Sequence, residues 1–340
     1  MLHRLAQPEV TRPRRGGALI PLLLVSGALY SLALAAMQVG PRPLAWFVAR
    51  GEMIATIFLG VFIEALPFLL IGTLASGAIQ VFVSPDLLQR VNPRSPVRAA
   101  LLGATMGLCF LPVCECGTVP TTRRLLAKGA SLPLGIAFLL AAPAVNPVVI
   151  VTTAIAFRDR PLIVVGRVVL TVLIAAIVGV IVGRRAGGDA VLPPPVGAHT
   201  HGAGGHRGLA LLRHTGAEFF EMTRYLTIGA GIAATFQVVV PQQTLLGLGQ
   251  GAIVSVLVLM GLAVILSICS TVDAFVALAF AGSFLPGALL AFLVFGPMID
   301  LKSVLLFETT FRRRIVVALV ALTTLLVSGV TIGINLLLAR

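Results

Sequence analysis

Apolar runs of about 20 residues recur along nearly the whole chain, and this feature constrains the fold more than any other. As helices such runs cross a hydrocarbon layer of roughly 30 Å, and inside lipid only helices or closed barrels satisfy every backbone polar group. Of the 340 residues, 58% are hydrophobic and 11% charged, far more apolar than the roughly 45–50% of soluble domains. The fold class is therefore read as an all-α polytopic membrane protein. No stretch remains that is large enough for a separate soluble domain.

Apolar runs and breakers predict spans near 18–38, 53–83, 131–157, 161–183, 216–240, 285–307 and 315–338, with two interrupted apolar segments at 99–130 and 246–284. Residues 16–38 follow Arg12, Arg14 and Arg15, and Ala33-Leu34-Ala35 resembles a signal cleavage site. Their apolar run exceeds the roughly 7–15 residue core of a signal peptide, so a retained first span is expected.

The net charge of +13 does not point to nucleic acid, because the arginines fall in short loops between apolar runs and form no basic face. Sliding the second half of the chain onto the first reveals a repeat. Phe62-Ile63-Glu64, Ile71-Gly72 and Gln80-Val81 match Phe219-Phe220-Glu221, Ile228-Gly229 and Gln237-Val238. Cys114 then aligns with Cys269. Ala137-Phe138-Leu139, Pro143 and Asn146 align with Ala291-Phe292-Leu293, Pro297 and Asp300.

If each interrupted segment enters and leaves by one side, seventeen Lys and Arg residues fall on one face of the membrane against five on the other. The rich face is cytoplasmic by the positive-inside rule, and it holds the N-terminus. Were each segment a single crossing, the clusters at 123–128 and 184–213 would move outside and the asymmetry would largely vanish. Each half thus reads as three spans plus a broken or re-entrant hairpin, and the odd count inserts the halves in opposite orientation. Inverted repeats with broken helices near the midplane are a transporter architecture. The expected domains are an N-terminal basic segment and first span (1–52), a first repeat (53–183), a flexible linker (184–214) and a second repeat (215–340). Pro193-Pro194-Pro195, His199, His201 and His206 lie among glycines in that linker and impose no ligand geometry, so it is expected to be mostly disordered.

The chemistry concentrates at the breaks. Leu111-Pro112-Val113-Cys114-Glu115-Cys116-Gly117-Thr118-Val119-Pro120 cannot continue a helix uninterrupted. In an extended backbone the thiols of Cys114 and Cys116 would point to one side and could chelate together. The second break reads Ser267-Ile268-Cys269-Ser270-Thr271-Val272-Asp273 and offers hydroxyls, a thiol and a carboxylate. A carboxylate at a span centre costs about 2.5–3.5 kcal/mol on insertion scales, so it needs a compensating role. Glu64, Glu221, Glu115, Asp300 and Lys302 are the other ionisable groups nearest the apolar interior. Glu64, Glu221 and Asp273 are the candidates for proton coupling. The ordinary alternatives are interfacial placement of Glu64 and Glu221 and snorkelling of Lys302 to a headgroup. Cysteine is also a common buried hydrophobe, the natural reading for Cys109.

With Leu125-Leu126, Lys128-Gly129 and Ala141-Ala142-Pro143, Asn146-Pro147, the Leu-Pro-Val-Cys-Glu-Cys-Gly segment resembles the predicted-permease family that includes the organoarsenical efflux permeases, over about 50–180 and 215–338. The resemblance implies that Cys114 and Cys116 bind trivalent organoarsenicals, although Glu115 stands where many members have Ser. Soft thiolates favour soft metals and metalloids, and Cys269 would complete a three-coordinate arsenic centre. The expected substrate-binding set is Cys114, Cys116, Cys269, Glu115, Asp273, Asn146 and Asp300. The expected function is a secondary transporter of the inner membrane exporting a soft solute, not an enzyme and without a cofactor. Its partners would be the bilayer, a small metal or metalloid solute and, by self-association, a homo-oligomer. A divalent metal ion permease, a membrane thiol oxidoreductase using Cys114 and Cys116, and a non-transporting scaffold are the competing readings. No Walker sequence is present.

Overall fold

In the computed structural model the described residues are 43–340 except 85, 87, 89, 91, 110–113, 187–189, 193–206, 240–250 and 339–340. The span expected at 18–38, Pro112, the proline run and the three linker histidines lie outside them. Met1–Gly51 and Glu52–Arg340 form separate compact units, and only the start of the first helix is described in the former.

Among the described residues the chain forms twelve helices. They are α1 (Pro43–Phe82), α2 (Pro96–Cys109), α3 (Glu115–Ala127), α4 (Leu132–Val145), α5 (Pro147–Ala156) and α6 (Pro161–Arg185), followed by α7 (Arg207–Val239), α8 (Val254–Leu266), α9 (Asp273–Phe280), α10 (Pro286–Met298), α11 (Leu301–Phe307) and α12 (Arg313–Leu338). The order of long helix, two short helices, broken helix and long helix in α1–α6 recurs in α7–α12. Among the described residues five stretches are long and apolar enough to span a membrane: Val48–Phe82, Leu132–Ala156, Pro161–Arg185, Pro286–Phe307 and Arg313–Leu338. The molecule is a multi-pass α-helical membrane protein.

Apolar patterning explains which helices are central. α4 and α10 are hydrophobic all round, as buried helices are, and every residue of Pro133–Val145 and Gly287–Phe295 is inaccessible. The two pack against each other and against α6. By contrast α12 buries one stripe, Val316, Leu319, Thr323, Val327, Thr331 and Asn335, at three- and four-residue spacing, and exposes Val317, Leu325 and Leu336. That outer face suits acyl chains.

The helices on either side of each cysteine-centred break are individually too short to cross. At 1.5 Å per residue, α2 with 14 residues and α3 with 13 rise about 21 and 20 Å, against a hydrocarbon core of roughly 30 Å. The α8–α9 pair is shorter still, with 13 and 8 residues. Each break is also swapped between halves: α3 packs on α11, and α9 packs on α5.

Asn146 and Asp300, matched in the repeat, break the two central helices in the same way. Asn146 accepts from the Val149 amide at 2.9 Å as N-cap of α5, and its amide reaches the Pro143 carbonyl at 3.4 Å. Asp300 accepts from the Ser303 amide at 2.6 Å, and the Ser303 hydroxyl accepts from the Asp300 amide at 2.9 Å. These caps satisfy amides that a membrane interior would leave without partners.

Lys128 closes the far end of α1 by donating to the carbonyls of Gln80 (2.7 Å) and Val83 (2.5 Å). Partial burial, with a smaller contribution from Arg124, pulls its pKa below the ordinary lysine value. Part of the linker is ordered: Val191 forms a bridge with Phe311, and Leu192 donates to Thr310 while Arg312 donates to Ala190.

Candidate functional site

The two cysteine-centred breaks share one feature of backbone hydrogen bonding. Cys114 is the extended N-cap of α3 (φ −75°, ψ 177°), and its carbonyl accepts from the amides of Gly117 and Thr118, both at 3.0 Å. The Cys269 carbonyl accepts from Val272 and Asp273, at 3.0 and 3.1 Å. Each therefore receives bonds from residues three and four positions on, which supports their alignment in the repeat.

Cys114 and Cys116 do not share an extended strand. Cys116 already lies in the first turn of α3, two positions on from Cys114 and near enough to interact with it. Both are buried and unoxidised, as is Cys269. Cys269 lies near enough to Thr271, Glu115, Cys114 and Lys302 to interact with them. Glu64, half-buried on α1, lies near the same Thr271 and near Lys302.

Lys302 is the hub, and it does not snorkel. Its residue exposure is 3%. The ammonium donates to the Ser267 carbonyl at 2.7 Å and lies 3.1 Å from both Glu115 Oε2 and Asp300 Oδ2. One cation thus faces two carboxylates that are themselves 2% and 1% exposed. The separations are those of ion pairs, but neither carboxylate oxygen is aligned for a hydrogen bond, and Glu115 Oε1 has no partner at all. Ser267, which ends α8, adopts φ 45°, ψ 40°, a left-handed conformation costly for a residue with a Cβ. That conformation places its carbonyl on Lys302, while its hydroxyl accepts from the Leu301 amide at 3.3 Å.

Asp273 belongs to a second buried group. It forms a two-pronged pair with Arg167, Nη1 to Oδ1 at 2.8 Å and Nη2 to Oδ2 at 2.6 Å, and Arg167 Nη1 also donates to Thr153 at 2.9 Å. Arg167 is not among the residues expected from the sequence at the site, although a lone arginine inside an apolar span is itself the signal of a buried partner. Glu221 is engaged as well, 3.2 Å from Arg123. Its neighbour Glu218 accepts from Ser76 at 2.6 Å and lies 3.5 Å from Arg124. Of the three proton-coupling candidates, Glu64 alone faces the thiol-bearing cluster without a dedicated arginine partner.

Among the described residues no three His, Cys, Asp or Glu side chains are close enough to hold a metal ion. In this conformation the three thiols gather around Lys302 without forming a ready-made three-coordinate centre.

A model of the family described as predicted permease matches residues 51–334, which takes in both repeats and every residue of the cluster. The chain belongs to the predicted-permease family. The permease is 45% identical over 268 residues to the UPF0718 protein YcgR of Bacillus subtilis, covering 78% of this chain and 91% of that one. It is 33% identical over 275 residues to a Streptococcus mutans protein named as a two-component membrane permease complex subunit, covering 80% and 91%. No solved structure matches it. The family and these relatives make the chain a membrane permease and point to transport rather than catalysis.

Proposed function

We propose that the permease is a secondary transporter that exports a soft, thiol-reactive solute, such as a trivalent organoarsenical, across the inner membrane, with its N-terminus cytoplasmic. The observation that carries this reading is the gathering of three unoxidised thiols, from breaks in both repeats, around one buried charge cluster. Thiolates are the protein ligands that prefer soft metals and metalloids. Cys114 and Cys116 make the first contacts, with Cys269 recruited as the breaks move, and Glu115, Asp300, Asn146 and Asp273 hold the surrounding helix ends. The domain order proposed from the sequence fits this scheme: an N-terminal segment (1–52), two repeats inserted in opposite orientation (53–183 and 215–340) and a linker (184–214) between them.

Growth of a metalloid-sensitive bacterial host tests the proposal. Expression of the wild type is expected to raise tolerance to methylarsenite, and Cys114→Ala/Cys116→Ala to return it to the empty-vector level at equal membrane abundance. Parallel arms with arsenite, zinc and cobalt report the solute class. Protection against none of them by the wild type, or full protection by the double variant, would sink the reading. Coupling to the proton gradient is assigned to Glu64, so Glu64→Gln is expected to abolish proton-dependent efflux from everted vesicles while leaving solute binding in place. Unchanged proton-driven efflux by that variant would remove Glu64 from the mechanism.

A further inference from the structure

From the surroundings of Lys302 we infer that its ammonium is a tethered cation occupying a monovalent-cation site of the permease, so that this site works without an alkali metal ion. Three separate segments supply oxygens to the nitrogen: the Ser267 carbonyl at the end of α8, Glu115 at the start of α3, and Asp300 at the start of α11. A backbone carbonyl and two carboxylates around one positive centre are a cation's donor set, not that of a surface ion pair. Their separations of 2.7–3.1 Å are those of an ammonium seated among oxygens, and without the nitrogen all three would face one position with no positive charge.

Two further features show a built site. Ser267 holds the strained left-handed backbone that turns its carbonyl inward, the sort of outlier that persists only where its surroundings impose it. Glu115 Oε2 and Asp300 Oδ2 are buried 3.1 Å from the nitrogen without aligned donors, so they converge on the charge rather than on N–H directions. A spherical ion has no such directions. On the opposite side, a Cβ at Gly229 of α7 would come within 2.9 Å of the Lys302 Cβ, so the glycine lets α11 approach and fixes where the ammonium ends. The side chain joins the two repeats, since Glu115 belongs to the first and Ser267 and Asp300 to the second. The inference stands whichever solute the thiols take.

Removing the tether while keeping the oxygens should convert the built-in cation into a requirement for a dissolved one. The test is the thermal midpoint of the purified full-length permease in detergent, in lithium, sodium, potassium or N-methylglucamine chloride at one ionic strength. The wild type is expected to show the same midpoint in all four. Lys302→Ala is expected to lose several degrees in N-methylglucamine and to recover most of them in sodium or potassium, saturably. Adding Asp300→Asn to Lys302→Ala should abolish the recovery. Should Lys302→Ala fail to accumulate, Lys302→Ser also removes the tether, leaves the three oxygens in place and provides the same readout. A Lys302 variant whose midpoint is indifferent to the cation, or a wild type that gains as much as the variant, overturns the inference.

Discussion

Arg167→Ala is expected to remove almost all folded permease from the membrane. Both guanidinium ends of Arg167 are committed to Asp273, and the two side chains are 1% and 5% exposed. Truncating one partner leaves a carboxylate that neither water nor lipid headgroups can reach. Breaking a buried pair in this way costs about 3–5 kcal/mol, a large part of a total stability of about 5–15 kcal/mol. Replacing both partners has the opposite logic, because most of the cost lies in the abandoned charge. Arg167→Met/Asp273→Leu should restore membrane abundance and bring the thermal midpoint close to the wild type. If the restored protein fails to transport, the pair has a role beyond packing. An Arg167→Ala permease with the wild-type midpoint would show that Asp273 finds another partner or carries no charge.

That pair marks where reading the sequence stopped short. Asp273 was singled out because a carboxylate in an apolar segment needs compensation. Its partner went unnamed because Arg167 and Asp273 lie in different repeats, and nothing local in either one encodes the contact. Where the information is local and repeated, the structure was legible. Pro143 and Asn146 recur as Pro297 and Asp300, and each pair breaks a central helix and caps the next. Cys114 and Cys269 recur, and the carbonyl of each accepts from the amides three and four positions on.

What the repeat could not show is how its copies diverge. Glu64 and Glu221 are matched residues, yet one faces Thr271 and Lys302 while the other pairs with Arg123. Lys302 has no matched charge in the first repeat, where Val148 follows Asn146 by the same two positions. Its role as a hub depends on the swap that brings α3 against α11, and a periodic apolar pattern carries no record of that tertiary pairing. The bridge of Val191 to Phe311 is invisible in the linker's composition for the same reason: it depends on a residue far along the chain.

Gly72→Leu should be as damaging as the loss of Arg167, through backbone rather than charge. Gly72 on α1 crosses α3 at Gly117, and a Cβ built at Gly72 collides with the Gly117 backbone. A flexible neighbour could yield, but here the obstacle is main chain one residue past Cys116, hydrogen-bonded to the Cys114 carbonyl. Accommodating even a methyl group means moving α1 or the start of α3. Small-to-large changes in packed cores commonly cost about 1–3 kcal/mol, and more where backbone must shift. In a membrane, close approach through small residues is itself part of what holds helices together. The matched change Gly229→Leu meets Lys302 at its Cα and Cβ, so it should displace the ammonium while sparing the thiols. Detergent-solubilised yield and labelling of Cys114 and Cys116 by a maleimide distinguish the two. Gly72→Leu should lower yield and expose the thiols, and Gly229→Leu should keep them protected. Equal yield and equal protection in the Gly72→Leu protein would mean that α1 and α3 do not meet at these glycines.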